Sequence, residues 1–285
     1  MIPDSRTHDF DTPNPVRLRV EIPKGRIRIV AEDVAKTHVE LTAIRGDITA
    51  REWIADAEID QHGDDIVVRI HKTSILFLGL GGGVDALVRV PTGSSACLGS
   101  GSGRVETQGR LGEVEAATGS GRIELSEVAE AHVRTGSGDI AIHACAGTVD
   151  ARAGSGRISV GKVGGDARIT TASGRAEVES VAGDARVRAA SGNIEVGAAG
   201  ESLDAFTASG NVDIHRVDHG RVRARTVSGK VCVGVARGTA ALLDVSTMSG
   251  RVFSDLDSGA PATGDEKSVE LILSSVSGNV AIGRA

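Results

Sequence analysis

Apolar and polar residues alternate along most of this chain, and the alternation restarts at a nearly fixed interval. Between residues 103 and 229 a Ser-Gly pair returns every 17 to 19 residues, at Gly103, Gly121, Gly138, Gly156, Gly174, Gly192, Gly210 and Gly229. Looser copies follow at Ser249-Gly250 and Ser277-Gly278. Aligned on their glycines, the copies carry apolar residues seven and five positions before the Gly and two and four after it. Around Gly156 these are Val149, Ala151, Ile158 and Val160; around Gly192 they are Ala185, Val187, Ile194 and Val196. Charged or small residues stand between them, such as Arg175, Glu177, Arg186 and Arg188.

Period two is the signature of a strand with one face inward, and a period near 18 is that of a solenoid. Each repeat therefore predicts two main strands. The recurring Gly predicts a corner with φ > 0, and the Ser before it can hydrogen-bond turn amides. Small residues three before the Gly, among them Thr118, Thr171, Thr207 and Thr226, suit a narrow interior. One such unit cannot bury its own apolar face, so the units must stack. The expected architecture is all-β: a single-stranded parallel β-helix, or β-solenoid, of about 18 residues per coil.

The template extends backwards. Gly25 fits it, with Leu18 and Val20 before and Ile27 and Ile29 after, and Gly46 fits with Val39, Leu41 and Ile48. The expected layout is an extended, Pro-containing lead-in over 1–15 and a single elongated solenoid domain over 16–285. Within it, 16–50 hold two degenerate coils and 51–83 an insertion. That insertion comprises a β-hairpin around His62-Gly63-Asp64-Asp65 and the Gly-rich run 75–83. Regular coils fill 84–254, a loop interrupts at 255–268, and 269–285 form the last coil. A dozen coils at about 4.8 Å each predict a rod of roughly 55–60 Å.

The repeat unit Thr-x-Ser-Gly-Arg/Asn-Ile-x-Val, as at 118–125, resembles the bacterial β-strand-repeat "putative adhesin" family of unknown function. The resemblance covers nearly the whole chain, from the Gly25 start to the interruption at 255–268. It implies a right-handed parallel β-helix.

Composition narrows the function classes. Aromatic residues make up 2% of the chain and Tyr is absent. The interior is then too thin for rings, and the surface lacks the platforms on which sugars or single-stranded nucleic acid stack. The net charge is −6, with acids and bases interleaved, which disfavours nucleic acid as a partner. No stretch approaches the 18 apolar residues of a membrane span, and the first residues lack a signal-peptide core. Cys97, Cys145 and Cys232 have no metal spacing and are expected to be small buried residues in a reducing compartment. The expectation is a soluble, cytoplasmic protein.

Candidate chemistry is sparse. The glycines at 79–83 lack the Lys-Ser/Thr and helix of a phosphate loop, and the repeats lack the Asp of calcium-binding nonapeptides. Arg45-Gly46-Asp47 spells a recognition tripeptide, but the coil template already accounts for Gly46. His215, Asp218 and His219 fall across a corner rather than on one helix face, so a zinc site is not expected. Carboxylates flanking a cleft, as glycoside cleavage needs, are not evident in coils this tight. No cofactor, metal or catalytic residue is expected, and the chain is read as a non-enzyme.

One surface feature remains. A basic column directly after the glycines (Arg104, Arg122, Arg157, Arg175) lies beside an acidic one two residues on (Glu106, Glu124, Glu177, Glu195). Relief of like-charge stacking explains it; the alternative is a docking face for a protein. The reading is a non-catalytic scaffold or binding protein of unknown partner, as a monomer or closed homodimer. Its alternatives are a self-assembling structural protein joined through coil ends and a β-helix polysaccharide hydrolase or lyase.

Overall fold

The computed structural model describes residues 4–44, 47–70, 82–256 and 267–285. The chain is a parallel β-solenoid, and its contacts divide it into two units, residues 1–144 and 145–285.

The first unit is built around the strand Arg17–Glu32, which bends at Gly25 and supplies both main faces of one coil. Its inward residues Leu18, Val20, Ile27 and Ile29 are at most 2% exposed, so the Gly25 coil is present. The strand Ser95–Gln108 stacks on it in parallel, with Gly103 beside Gly25. Arg110–Thr118 and Ile123–Ser137 continue the stack.

On the other side of Arg17–Glu32 two strands share the work of one coil. Asp65–Arg69 pairs with its first half and Val84–Pro91 with its second, both in parallel. Beyond them the sheet turns antiparallel. The expected hairpin is there, with Glu58–His62 against Asp65–Arg69 and a left-handed Gly63 (φ +62°) in its turn.

Two expectations fail in this unit. Lys36–Ala43 runs antiparallel to Val84–Pro91, so the second degenerate coil is not a coil. Ile48 lies instead in a helix, Ile48–Ala55, that begins at an Asp47 cap whose Oδ1 accepts from Ala50 N at 3.1 Å. Ala50 and Ile54 are buried and Ile48 is 69% exposed, because a helix turns every fourth residue to one side. Nor is 1–15 only a lead-in: Ser5–Asp11 is a strand paired antiparallel with Lys36–Ala43. Arg45, Gly46, the run 71–81 (with all of the Gly-rich segment but Gly82 and Gly83) and the loop residues 257–266 lie outside the described residues.

The second unit is more regular. Equivalent residues stack in register 18 or 19 apart, as in Ala167, Ala185, Leu203 and Val222, or Ala176, Ile194, Val212 and Val231. All eight are at most 4% exposed. A further inward column stands seven after the Gly, in Val163, Val181, Ala199 and Val217.

Corner glycines such as Gly25 (φ +129°), Gly156 (φ +131°), Gly192 (φ +157°), Gly210 (φ +155°) and Gly229 (φ +154°) have the positive φ expected, and a second cause acts beside it. Gly174 is not in a left-handed conformation; a Cβ there would overlap the carbonyl oxygen of Gly156 in the coil below. The glycines form a column in which one backbone lies directly on the next. The threonines three positions earlier lock that column. Thr207 Oγ1 donates to Gly192 O and Thr226 Oγ1 to Gly210 O, both at 2.9 Å.

The coils of this unit end out of sequence order. Gly220–Ser228 pairs not with Thr239–Ser249 but with Lys267–Ser277, which in turn pairs with Thr239–Ser249. The coil expected to be last is therefore an inner one, and 239–254 form the outermost coil. Leu243 and Val252 stand in the apolar columns, yet they are 38% and 47% exposed because no described coil covers them.

Candidate interaction faces

Corners fixed by Gly and Thr hold each coil in register, so every outward position becomes a column of stacked side chains. Two faces follow, one after the glycines and one before them.

The face after the glycines carries the eight residues singled out from sequence, and the structure brings them into local pairs. In the first unit Arg104 Nη1 lies 3.1 Å from Glu106 Oε1, and Arg28 Nε lies 3.7 Å from Glu106 Oε2. Arg122 pairs with Asp139 at 2.9 Å, and Glu124 with His143 at 3.5 Å. In the second unit Glu177 receives both Arg175 (3.3 Å) and Arg157 (3.7 Å), and Glu195 faces His215 at 3.3 Å. Glu177, Glu195 and Asp213 stack in register, a like-charge ladder that Arg157 and Arg175 relieve at Glu177.

Asn in the basic column has another task. Asn193 Oδ1 accepts from Asn211 N and Asn211 Oδ1 from Lys230 N, each at 3.0 Å. These amides cap backbone donors of the next coil, which is why the column is interrupted there.

The face before the glycines was not singled out from sequence. In the second unit one outward column runs Asp150, Arg168, Arg186, Asp204, Arg223, and the next runs Arg152, Thr170, Arg188, Phe206, Arg225. Six arginines thus adjoin two aspartates. Arg152 is held by Asp150 at 2.8 Å, while Arg186 and Arg225 share Asp204 at 3.9 and 3.6 Å. The Arg225 guanidinium also sits 5.8 Å from the Phe206 ring centre. Arg168, Arg188 and Arg223 have no acidic partner among the described residues. The signal was available: exposed arginines 18 apart in sequence stack directly, as Arg168 does on Arg186.

Other groups are quickly placed. His215 and His219 go to different carboxylates, Glu195 and Asp218. Lys267 and His219 hold the Asp218 carboxyl below its usual range. Glu113, Glu130 and His132 bring ligand atoms within 4.8 Å of one another on the open surface of the first unit. Only Cys145 of the three cysteines is buried; Cys97 and Cys232 are half-buried outward residues, because their positions fall on the polar side of the alternation. Partial burial pushes both of these thiols up from their ordinary values. Among the described residues no helix is long and apolar enough to cross a membrane.

Fold and faces together define a repeat solenoid whose outward positions form ladders of stacked side chains. The Toastrack DUF4097 family model matches residues 3–283, and the chain belongs to that family. Solved structures similar to it include a "putative lipid binding protein" from Parabacteroides distasonis, 13% identical, with a TM-score of 0.47 over 99% of this chain and 97% of the other. A "putative adhesin" from the same species is 10% identical (TM-score 0.44, 97% and 96% covered). One from Parabacteroides merdae is 11% identical (TM-score 0.42, 98% and 96% covered). No curated protein matches the chain.

Proposed function

We propose that the chain is a non-catalytic binding scaffold that engages an acidic protein surface through the arginine face of its second unit. The observation that carries this reading is the set Arg168, Arg188 and Arg223, exposed in a face of six arginines and two aspartates and making no ion pair among the described residues. Arg168 stacks directly on Arg186, and directly stacked like charges destabilise a sheet, a cost that carboxylates of a partner would lower. A flat face of guanidinium forks matches carboxylates on another protein bidentately. The interspersed Asp150 and Asp204 suit a mixed-charge protein surface better than a polyphosphate.

The non-catalytic part is supported by the thiols and the carboxylates. Cys97 and Cys232 have raised pKa values, the opposite of an activated nucleophile. The carboxylates stand in open ladders, Glu177 paired with Arg157 and Arg175 and Glu195 beside His215. A second reading, self-assembly through a coil end, is favoured by the uncovered coil 239–254.

The test is affinity capture from the source cell with wild-type protein, an Arg168→Glu/Arg188→Glu/Arg223→Glu variant and an Arg157→Glu control on the other face. Acidic proteins held by wild type and control, released by salt and missing from the triple variant are the expected result. Identical capture by all three proteins refutes the reading.

A further inference from the structure

The outermost coil of the second unit differs from all those beneath it. Its strand Thr239–Ser249 is hydrogen-bonded on one side only, to Lys267–Ser277, among the described residues. Its outward positions carry fewer charges: Leu242 stands in register with Glu270 and Arg221, and is 70% exposed. Met248 is 84% exposed and Phe253, in the same coil, 50%. Its inward positions Leu243 and Val252 are uncovered as well. The coil thus exposes apolar side chains on both faces beside an unpaired strand edge. Edge strands are ordinarily guarded by charge or Pro; Asp244 is the one charged residue between Thr239 and Ser249.

We propose that this coil joins a second copy of the chain, the two Thr239–Ser249 strands pairing antiparallel about a two-fold axis at Val245. The strand's own sequence argues for that partner. Antiparallel pairing centred on Val245 sets Leu243 opposite Thr247 on the inner face. On the outer face it sets Asp244 opposite Ser246 and Leu242 opposite Met248. The two most exposed apolar side chains of the coil, three residues either side of the centre, cover each other twice. A centre at Asp244 would oppose two carboxylates, and one at Ser246 would set Asp244 against Met248.

The dimer is closed because the edge strands of the first unit are guarded. There Ser5–Asp11 carries Arg6, Asp9 and Asp11, and Glu58–His62 carries Glu58 and Asp60. An apolar coil gains nothing by stacking on them, so the contact is isologous and does not propagate into a filament. The inference is independent of the arginine face.

Sedimentation across a wide concentration range tests it, with Leu242→Lys and Met248→Lys as variants and circular dichroism to confirm folding. Both sites are exposed, so both variants fold. Wild type reaches twice its 29.2 kDa mass, and each variant dissociates with a dissociation constant raised on the order of 30-fold or more. Val245→Cys, in a Cys97→Ser/Cys145→Ala/Cys232→Ser background, forms an intermolecular disulfide on oxidation, since a residue on the two-fold axis directly faces its own symmetry mate across the paired strands. A wild type that stays monomeric, a dimer indifferent to both lysines, or any species larger than a dimer overturns the proposal.

Discussion

Glycine serves two unrelated purposes in this fold, and substitution separates them. At Gly174 the backbone angle is one any residue adopts; what excludes a side chain is the Gly156 carbonyl, which a Cβ would overlap. That carbonyl cannot withdraw freely. Gly156 N donates to Ser173 O and Gly174 N to Ser191 O, both at 3.1 Å, and Ile158 N donates to Arg175 O at 2.9 Å. Opening the corner sacrifices about two of these bonds at roughly 1 kcal/mol each, plus the burial cost of any donor left without a partner. Gly174→Ala should therefore destabilise by about 2–4 kcal/mol. At Gly63 the situation reverses: φ is +62° and a methyl added there would meet no atom within 4 Å. Gly63→Ala then costs only the left-handed strain, about 1 kcal/mol. Asn tolerates that conformation, so Gly63→Asn should recover most of the loss, whereas Gly174→Asn recovers none. Urea denaturation followed by circular dichroism gives the four values. Equal costs at the two glycines, or rescue of position 174 by Asn, would refute the steric argument.

The threonine column offers a second contrast, read by thermal melts. Thr207→Val breaks the bond to Gly192 O and should lose about 1 kcal/mol, while Thr171→Val removes a buried hydroxyl that has no partner and should be neutral or stabilising. The out-of-order ending predicts that Leu273→Asp, at a site 1% exposed, abolishes folding, with a loss above about 4 kcal/mol, and that Leu243→Asp costs less than half as much. If both were equally damaging, 239–254 would not be the outer coil. Asp218 titrates below its ordinary value because Lys267 and His219 bond to it. Its contribution is complete above the usual carboxylate range near about pH 4 and disappears as pH falls through the lowered folded value. The melting difference between wild type and Asp218→Asn should be full at neutral pH and vanish in acid; a gap that widens in acid contradicts the assignment.

The repeated coils were readable because stacking puts the same kind of residue on itself, so Ile158, Ile194 and Val212 announce one inward column through spacing alone. Other features have no such signature. The column at Val163 and Val181 lies past a second bend, where the two-residue alternation anchored on Gly has lost its phase. Val39, Leu41 and Ile48 match the coil template by letter, but nothing in a strand pattern says whether it will pair parallel or antiparallel. The Asp47 cap then takes Ile48 into a helix. Leu243 and Leu271 occupy the same template position, and only pairing order decides which is buried. For the charged faces the sequence displayed residues but not their neighbours. Arg175 and Glu177 looked available and are mutually satisfied, whereas Arg188 looked like polar filler and stands uncompensated.

The interleaved ending has a consequence for synthesis. A solenoid can grow as it leaves the ribosome, each new coil templated on the one before. Here growth stalls after Gly220–Ser228, because the next segment made does not belong on that edge. Until residues 267–284 emerge, 239–254 have no surface to stack on, and a slot about one strand spacing wide awaits a segment some 49 residues downstream of its neighbour. Meanwhile the waiting edge exposes Arg221, Arg223 and Arg225, whose repulsion would keep two nascent chains apart. The late strand works as a keystone: it closes the gap, supports the apolar coil, and makes completion of this end a single all-or-none event.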